Sequence, residues 1–224
     1  MKIPYIYTAL IDVLSYRHRL QQDIKTGSFS FKSDLESALS VFDSVNSAVF
    51  GVQAISDTII LTCASHENFE EFLNILKLVS IAFMRRGLYI RGGIAYSRHF
   101  QSGRLTYSHA VAKAYEIESS EAIYPRIVLD RNIIQMYKGS SELKSIFGKS
   151  LLSEQNGSYF LNILDKENWV NVYDYAATMY AKDQASLLSN EAAFAKHSWF
   201  ENYLMSSPFY DSSKSRYIPH IITI

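Results

Sequence analysis

An excess of charge of either sign is missing from this chain. Its 224 residues carry 22 lysines and arginines against 22 aspartates and glutamates, a net charge of zero. Without a basic excess nothing argues for a nucleic-acid groove. Cysteine is almost absent: Cys63 stands alone, which excludes an internal disulfide and fits a reducing compartment. In its apolar run it reads as core. No run approaches the ~20 apolar residues of a membrane span. The opening Met-Lys-Ile-Pro-Tyr-Ile-Tyr has no long apolar stretch ending in a small-residue cleavage site. The expectation is a cytoplasmic protein with no membrane partner. There is no glycine-rich phosphate loop, no Gly-x-Ser-x-Gly elbow and no internal repeat. The histidines, His18, His66, His99, His109, His197 and His220, form no metal-ligand spacing; His99 and His109 fall nearest the cleft proposed below. What is present is ordinary globular material, 48% hydrophobic and 20% charged, with 16 tyrosines and 13 phenylalanines that suggest a well-packed core and interface surface.

Apolar, β-branched and aromatic residues from Tyr5 to Val13 predict a buried strand. Tyr16 to Lys25 predicts a helix closed by Thr26-Gly27-Ser28. A second helix opens at Ser33-Asp34-Leu35-Glu36, which has the spacing of a capping box, and runs to about Val45. Ala48 to Ile55 and Thr58 to Ala64 predict two strands of a hairpin with Ser56-Asp57 at its tip. Glu67 to Arg86 predicts an amphipathic helix with Phe69, Phe72, Leu73, Leu76 and Ile81 on one face, ended by Gly87. Further on come a strand from Tyr89 to Tyr96 interrupted at Gly92-Gly93, a helix from Ser108 to Ala122 and a short strand from Arg126 to Leu129. Residues 132–157 show no clear pattern. Tyr159 to Ile163 reads as an edge strand, and Trp169 to about Leu204 as one or two helices. The order allows strand 1 and the hairpin to share one sheet in a split β-α-β arrangement.

That arrangement would bring together two aspartates at the ends of apolar runs, Asp12 in Ala-Leu-Ile-Asp-Val-Leu and Asp57 in Ala-Ile-Ser-Asp-Thr-Ile-Ile-Leu. Buried carboxylates are costly unless something positive pairs with them. Two of them with no cysteine or histidine nearby suit hard divalent cations, which usually carry substrate phosphates. Taken singly, Asp12 also reads as a helix N-cap and Asp57 as a turn residue. Arg91, in Tyr-Ile-Arg-Gly-Gly-Ile-Ala, reads as a guanidinium for triphosphate oxygens, as a surface residue, or as an ion pair with one of the aspartates. Gly92 and Gly93 read as a close approach of backbone or ligand, or as a bulge.

The Asp12 strand-turn, the Ser56-Asp57 hairpin, Arg91-Gly92-Gly93-Ile94 and the helix Ala110-Val111-Ala112-Lys113-Ala114-Tyr115-Glu116-Ile117-Glu118-Ser119 resemble, in order and spacing, the class III nucleotidyl cyclases. Tyr124-Pro125-Arg126-Ile127 and the late Lys196-His197-x-Trp199-Phe200-x-x-Tyr203 are similar to the Pycsar pyrimidine cyclases of bacterial anti-phage defence. The resemblance implies catalytic roles for Asp12, Asp57 and Arg91. It implies two Mg²⁺ or Mn²⁺ ions held by Asp12, Asp57 and the Val13 carbonyl. The backbone of Leu14, Ser15, Tyr16 and Arg17 would cradle phosphates at a helix N-terminus, and Arg91 would bind the triphosphate. Arg17 and Arg19 are further candidates. The product would act as a second messenger on a separate effector, and active sites would form at a homodimer interface.

The sequence departs from adenylyl and guanylyl cyclases in two places. Ala112 and Glu116 stand where that family carries Asn-x-x-x-Arg for the transition state. The charge would then fall to the metals and to a residue such as Lys113, or the chain is not an efficient cyclase. Gln53 replaces the purine-selecting lysine, and Leu105 its aspartate partner. A non-purine base, or a different selection scheme, is the expectation; Gln53 reads as a hydrogen-bonding partner of a pyrimidine edge or as an ordinary strand residue, and the resemblance implies UTP or CTP as the substrate. The expected organisation is α/β (α+β): a ferredoxin-like nucleotidyl cyclase catalytic domain over 1–165, with a helical C-terminal extension over 166–224 packed on the same domain. Two other readings keep the fold: a degenerate nucleotide-binding sensor, and an oligonucleotide polymerase, which usually shows Gly-Gly-Asp-Asp where this chain has Ile55-Ser56-Asp57-Thr58.

Overall fold

The computed structural model describes residues 3–102 and 104–219; His220 lies outside them. The chain divides into two compact units, Met1–Ile163 and Leu164–Ile224. Among the described residues no helix is long and apolar enough to cross a membrane.

In the first unit, β1 (Tyr5–Val13) is followed by α1 (Tyr16–Thr26), α2 (Ser30–Leu39), the hairpin β2 (Phe50–Ile55) and β3 (Thr58–Cys63), α3 (Phe69–Arg85) and β4 (Ile90–Ser102). These strands run antiparallel in the order β2-β3-β1-β4, the split β-α-β topology of a ferredoxin-like core. The mixed α/β class expected from the element order is what the chain adopts. Next come β5 (Leu105–Ser108), α4 (His109–Ser120), β6 (Ile127–Leu129), α5 (Arg131–Tyr137), α6 (Ser141–Gly148), β7 (Leu152–Gln155) and β8 (Ser158–Leu161). β6 lies parallel to β4, so α4 is a crossover helix, and β8 and β7 extend the sheet beyond it.

Alternation along β1 assigns the two faces of the sheet. Tyr7, paired with Tyr96, turns towards α3, where its ring stacks on Phe69 at 4.4 Å. Its buried hydroxyl joins those of a polar trio, bonding the Tyr137 hydroxyl and His66 Nδ1. Leu10, paired with Gly93, turns towards α4. Asp12 and its partner Arg91 share the α4 face, since directly paired residues lie on one side.

Several expectations are corrected. The capping box at Ser33 does not form: α2 begins at Ser30, and its first amides are capped from a distance by Asp23 of α1. Phe31 and Lys32 donate backbone N–H groups to that carboxylate, and Ser28 and Ser30 donate hydroxyls. Burial pushes the Asp23 carboxyl up, but these bonds outweigh it and hold it below the usual aspartate range. The buried face of α3 continues through Val79 and Phe83 rather than Ile81. β8 is not an edge strand, because β7 pairs outside it. β4 passes Gly92 and Gly93 without a break in register.

In the second unit α7 (Trp169–Leu187) and α8 (Glu191–Met205) form a helical hairpin. Trp169 Nε1 donates to the Leu204 carbonyl, and the buried Glu201 carboxylate accepts the N–H groups of Tyr217 and Ile218 and a guanidinium bond from Arg216. The Lys196–Tyr203 segment lies within α8, where Phe200 is buried and Trp199 stacks on Tyr203.

Candidate functional site

The hairpin tip and the end of β1 meet by backbone pairing. Asp12 stands opposite Thr58 on one side and Arg91 on the other. The Val13 N–H donates to the Asp57 carbonyl at 3.0 Å, which fixes Asp57 beside Asp12. Ser56, at φ 60, supplies the left-handed position that turns a two-residue loop between Ile55 and Thr58. Asp12, Val13, Asp57 and Arg91 are thus gathered at one end of the sheet, although they come from three elements of sequence.

Arg91 is the centre of the charge arrangement. Its Nε donates to Asp12 Oδ2 at 3.2 Å and its Nη2 lies 2.7 Å from Glu118 Oε1. Its Nη1 reaches the Ala122 carbonyl at 3.5 Å. Arg91 thus makes the ion pair with an aspartate that was one of its readings. Glu118 is 4% exposed. Burial pushes its carboxyl above the ordinary glutamate range, Arg91 draws it back, and Asp12 and Asp57 push it up again. Three carboxylates and one guanidinium therefore share one electrostatic neighbourhood.

The glycines explain how α4 comes so close. A Cβ at Gly93 would lie 2.2 Å from the Ala114 carbonyl oxygen, 2.8 Å from Ile117 Cβ and 3.0 Å from the Glu118 nitrogen. A Cβ at Gly92 would lie 2.5 Å from the Leu10 carbonyl oxygen on the other side. The approach is of backbone, with no bulge, and it delivers Glu118 to Arg91.

Glu118 is a residue of the site that the sequence motifs do not single out. The available signal was its place on the apolar stripe Ala110, Ala114, Ile117 of α4, where a lone carboxylate requires a partner.

Other expected residues are placed as follows. Ser15, Tyr16 and Arg17 begin α1, with Ser15 at φ 65 in the N-cap position and making no side-chain cap. Leu14 is corrected: its N–H donates to the Tyr89 carbonyl at 2.9 Å, so its amide does not join a phosphate cradle. Arg19 donates to the Gly87 carbonyl at the end of α3, a structural use. Lys113 pairs with Glu116 at 3.0 Å; five residues from Glu118, it points about 140° away around the helix, and it is not brought to the aspartates. Contact with Glu116 raises its pKa.

Gln53 is exposed on the edge strand β2 and lines a groove of about 230 Å³ on the α4 face, with Thr62, His99, Gln101 and Thr106. The lining mixes these polar groups with the apolar Val52, Ile60 and Val111 and, among the described residues, contains no aspartate, glutamate, lysine or arginine. Burial pulls His99 below its ordinary value, against a bond with Gln101 that raises it; its Nδ1 meets the Ser108 hydroxyl at 2.9 Å. His109 pairs with the exposed Tyr107 hydroxyl instead.

No protein-family model and no curated protein matches the chain. Solved structures are similar to it. The monomeric guanylyl cyclase domain of the RhoGC fusion protein from the aquatic fungus Blastocladiella emersonii superposes with a TM-score of 0.47 at 11% identity, covering 71% of this chain and 95% of that one. The guanylate cyclase domain of RhGC from Catenaria anguillulae, in complex with GTP, gives 0.47 at 12% identity, covering 71% and 97%. A bacterial light-regulated adenylyl cyclase gives 0.40 at 9% identity, covering 72% and 53%.

Proposed function

We propose that this chain is a nucleotidyl cyclase that converts a pyrimidine nucleoside triphosphate, UTP or CTP, to its 3′,5′-cyclic monophosphate and pyrophosphate. The observation that carries the proposal is the register that sets Asp12 and Asp57 side by side with Arg91 at one sheet end. In the reaction the ribose 3′-oxygen forms a bond to the α-phosphorus. The bond from that phosphorus to the α,β-bridging oxygen breaks, pyrophosphate leaves with the electron pair, and the hydroxyl proton passes to solvent.

The donor set suits hard cations: two carboxylates and the Val13 carbonyl, all oxygen. Among the described residues no group of three or more histidine, cysteine, aspartate or glutamate side chains could hold a metal by itself. In this reading the protein would supply Asp12, Asp57 and the Val13 carbonyl and the triphosphate the remaining oxygens, the usual arrangement for Mg²⁺ or Mn²⁺. Two such ions bound there would make the ribose hydroxyl more acidic and neutralise the leaving pyrophosphate. Arg91 stands beside Asp12 to meet triphosphate oxygens. The uncapped start of α1 at Ser15, Tyr16 and Arg17 offers amides to phosphate. Gln53, Thr62, Gln101 and Thr106, all neutral, would read the hydrogen-bonding edge of a pyrimidine. Gln53 lies on an exposed edge strand on the same face as Ile55, whose side chain is also exposed, so a second copy of the chain is the natural cover for this face. The ordered motifs extend the proposal to anti-phage signalling, with the cyclic nucleotide acting on a separate effector.

A second reading, nucleotide binding without turnover, is favoured by one observation: Lys113 is paired with Glu116 and directed away from the aspartates. Pyrophosphate release separates the two. With Mn²⁺ and UTP or CTP the wild-type protein should release pyrophosphate and Asp57→Ala should not. Nucleotide binding with no release by either protein would establish the second reading.

A further inference from the structure

Arg91 bridges two carboxylates that differ in their surroundings. The Glu118 contact is 2.7 Å and almost fully shielded, with the Glu118 side chain 5% exposed. The Asp12 contact is 3.2 Å, with that side chain 24% exposed. The Asp12 contact is a hydrogen bond, whereas the Glu118 contact is an ion pair without hydrogen-bond geometry; because a charge pair away from water is screened less than one that faces it, the guanidinium is held electrostatically by Glu118 while it bonds Asp12. Glu118 cannot follow it outwards, because the α4 backbone at Ala114 and Glu118 is seated directly on Gly93. The Ala122 carbonyl gives a second, longer hold on the same group.

We propose that Glu118 is a positioning residue that sets the cation affinity of the Asp12–Asp57 pair by holding Arg91 back from it. The inference deepens, and rests on, the reading of those aspartates as a metal site. Without a cation, Arg91 is the resident counter-charge of Asp12. An entering divalent ion displaces the Nε contact, and the guanidinium stays tethered to Glu118, where its charge is neutralised and its exposed edge faces the anionic substrate. Glu118 thereby lowers the cost of the exchange. A guanidinium lacking that tether competes for Asp12 with its whole charge.

The test is Mn²⁺ binding to the full chain without nucleotide, read from the electron paramagnetic resonance signal of free Mn²⁺. The proteins are wild type, Asp57→Ala, Glu118→Gln, Arg91→Met and the double variant Arg91→Met/Glu118→Gln. Glu118→Gln should weaken binding roughly tenfold, the scale of one charge-assisted contact. Arg91→Met should tighten it. In the double variant Glu118→Gln should change nothing further, so the double binds as Arg91→Met does. The double removes both charges together, a replacement that buried ion pairs commonly tolerate, so comparing it with Arg91→Met decides the matter even if Glu118→Gln alone folds poorly. Equal weakening by Glu118→Gln in both backgrounds would make Glu118 a ligand or a field charge in its own right and overturn the proposal. Weaker binding by Arg91→Met would also overturn it. If wild-type protein shows no saturable binding that Asp57→Ala removes, the metal reading itself fails and takes the proposal with it.

Discussion

Gly93→Ala is the most discriminating single-atom change in this protein. The added Cβ would stand 2.2 Å from a backbone oxygen, whereas ordinary contact begins at 3.4 Å. The obstacle is the α4 backbone at Ala114 and Glu118, not the end of a flexible side chain. The helix must therefore retreat by about 1 Å, and overpacking of this kind costs about 1–3 kcal/mol. The same retreat lengthens the 2.7 Å ion pair between Glu118 and Arg91 by about the same amount and weakens it. Two effects should appear together: a lower urea midpoint at unchanged m-value, and Mn²⁺ binding weakened in the sense of Glu118→Gln. Gly148→Ala is the control. It lies in α6 with nothing within 4 Å of the added atom, and it should gain about 0.4–1 kcal/mol through the unfolded chain. Gly93→Ala within about 0.5 kcal/mol of wild type, the range of a surface change, with unaltered Mn²⁺ binding would refute the account of how α4 is seated.

Asp23 caps α2 as a carboxylate whose pKa is lowered on folding, so its contribution is present above the ordinary aspartate pKa and is lost as pH falls through the lower folded value. The difference in Tm between wild type and Asp23→Asn should therefore be largest near neutrality and close in acid; a difference constant with pH would contradict this. Tyr7→Phe removes one buried hydroxyl from a trio whose other members, the buried Tyr137 and the exposed His66, already meet at 3.1 Å, and should cost about 1 kcal/mol in urea unfolding. A loss several times larger would mean that the trio acts as a unit. Gln53→Ala should raise KM for the pyrimidine triphosphate roughly threefold to tenfold, the worth of one hydrogen bond, without changing Tm, because the residue is exposed on an edge strand. An unchanged KM would remove Gln53 from base recognition.

The sheet was largely legible because its signal is local. Tyr5–Val13 reads as a strand from nine consecutive residues, and Ser56-Asp57 reads as a turn between two apolar runs, as found. The pairing of the two aspartates followed once a split β-α-β order was chosen. Contacts between remote elements were not legible. Asp23 caps a helix whose start lies seven residues later, and the nearer serine–glutamate spacing at Ser33 was a decoy. Gly92-Gly93 admits both a close approach and a bulge, and the position of α4 decides between them. Glu118 looked like one acid among several on a mixed helix until its face was known. Residues 132–157, which form α5, α6 and β7, are short elements whose periodicity is too brief to register. Leu14 reads as available for phosphate because nothing local marks the Tyr89 carbonyl as its partner.

The central claim is tested most directly by product identity. Wild-type protein and Asp57→Ala would each be incubated with Mn²⁺ and, separately, ATP, GTP, CTP and UTP, with products identified by mass. The account predicts a 3′,5′-cyclic pyrimidine monophosphate and pyrophosphate from wild type, and neither from Asp57→Ala. No cyclic product from any of the four triphosphates, or the same product from Asp57→Ala, would contradict it.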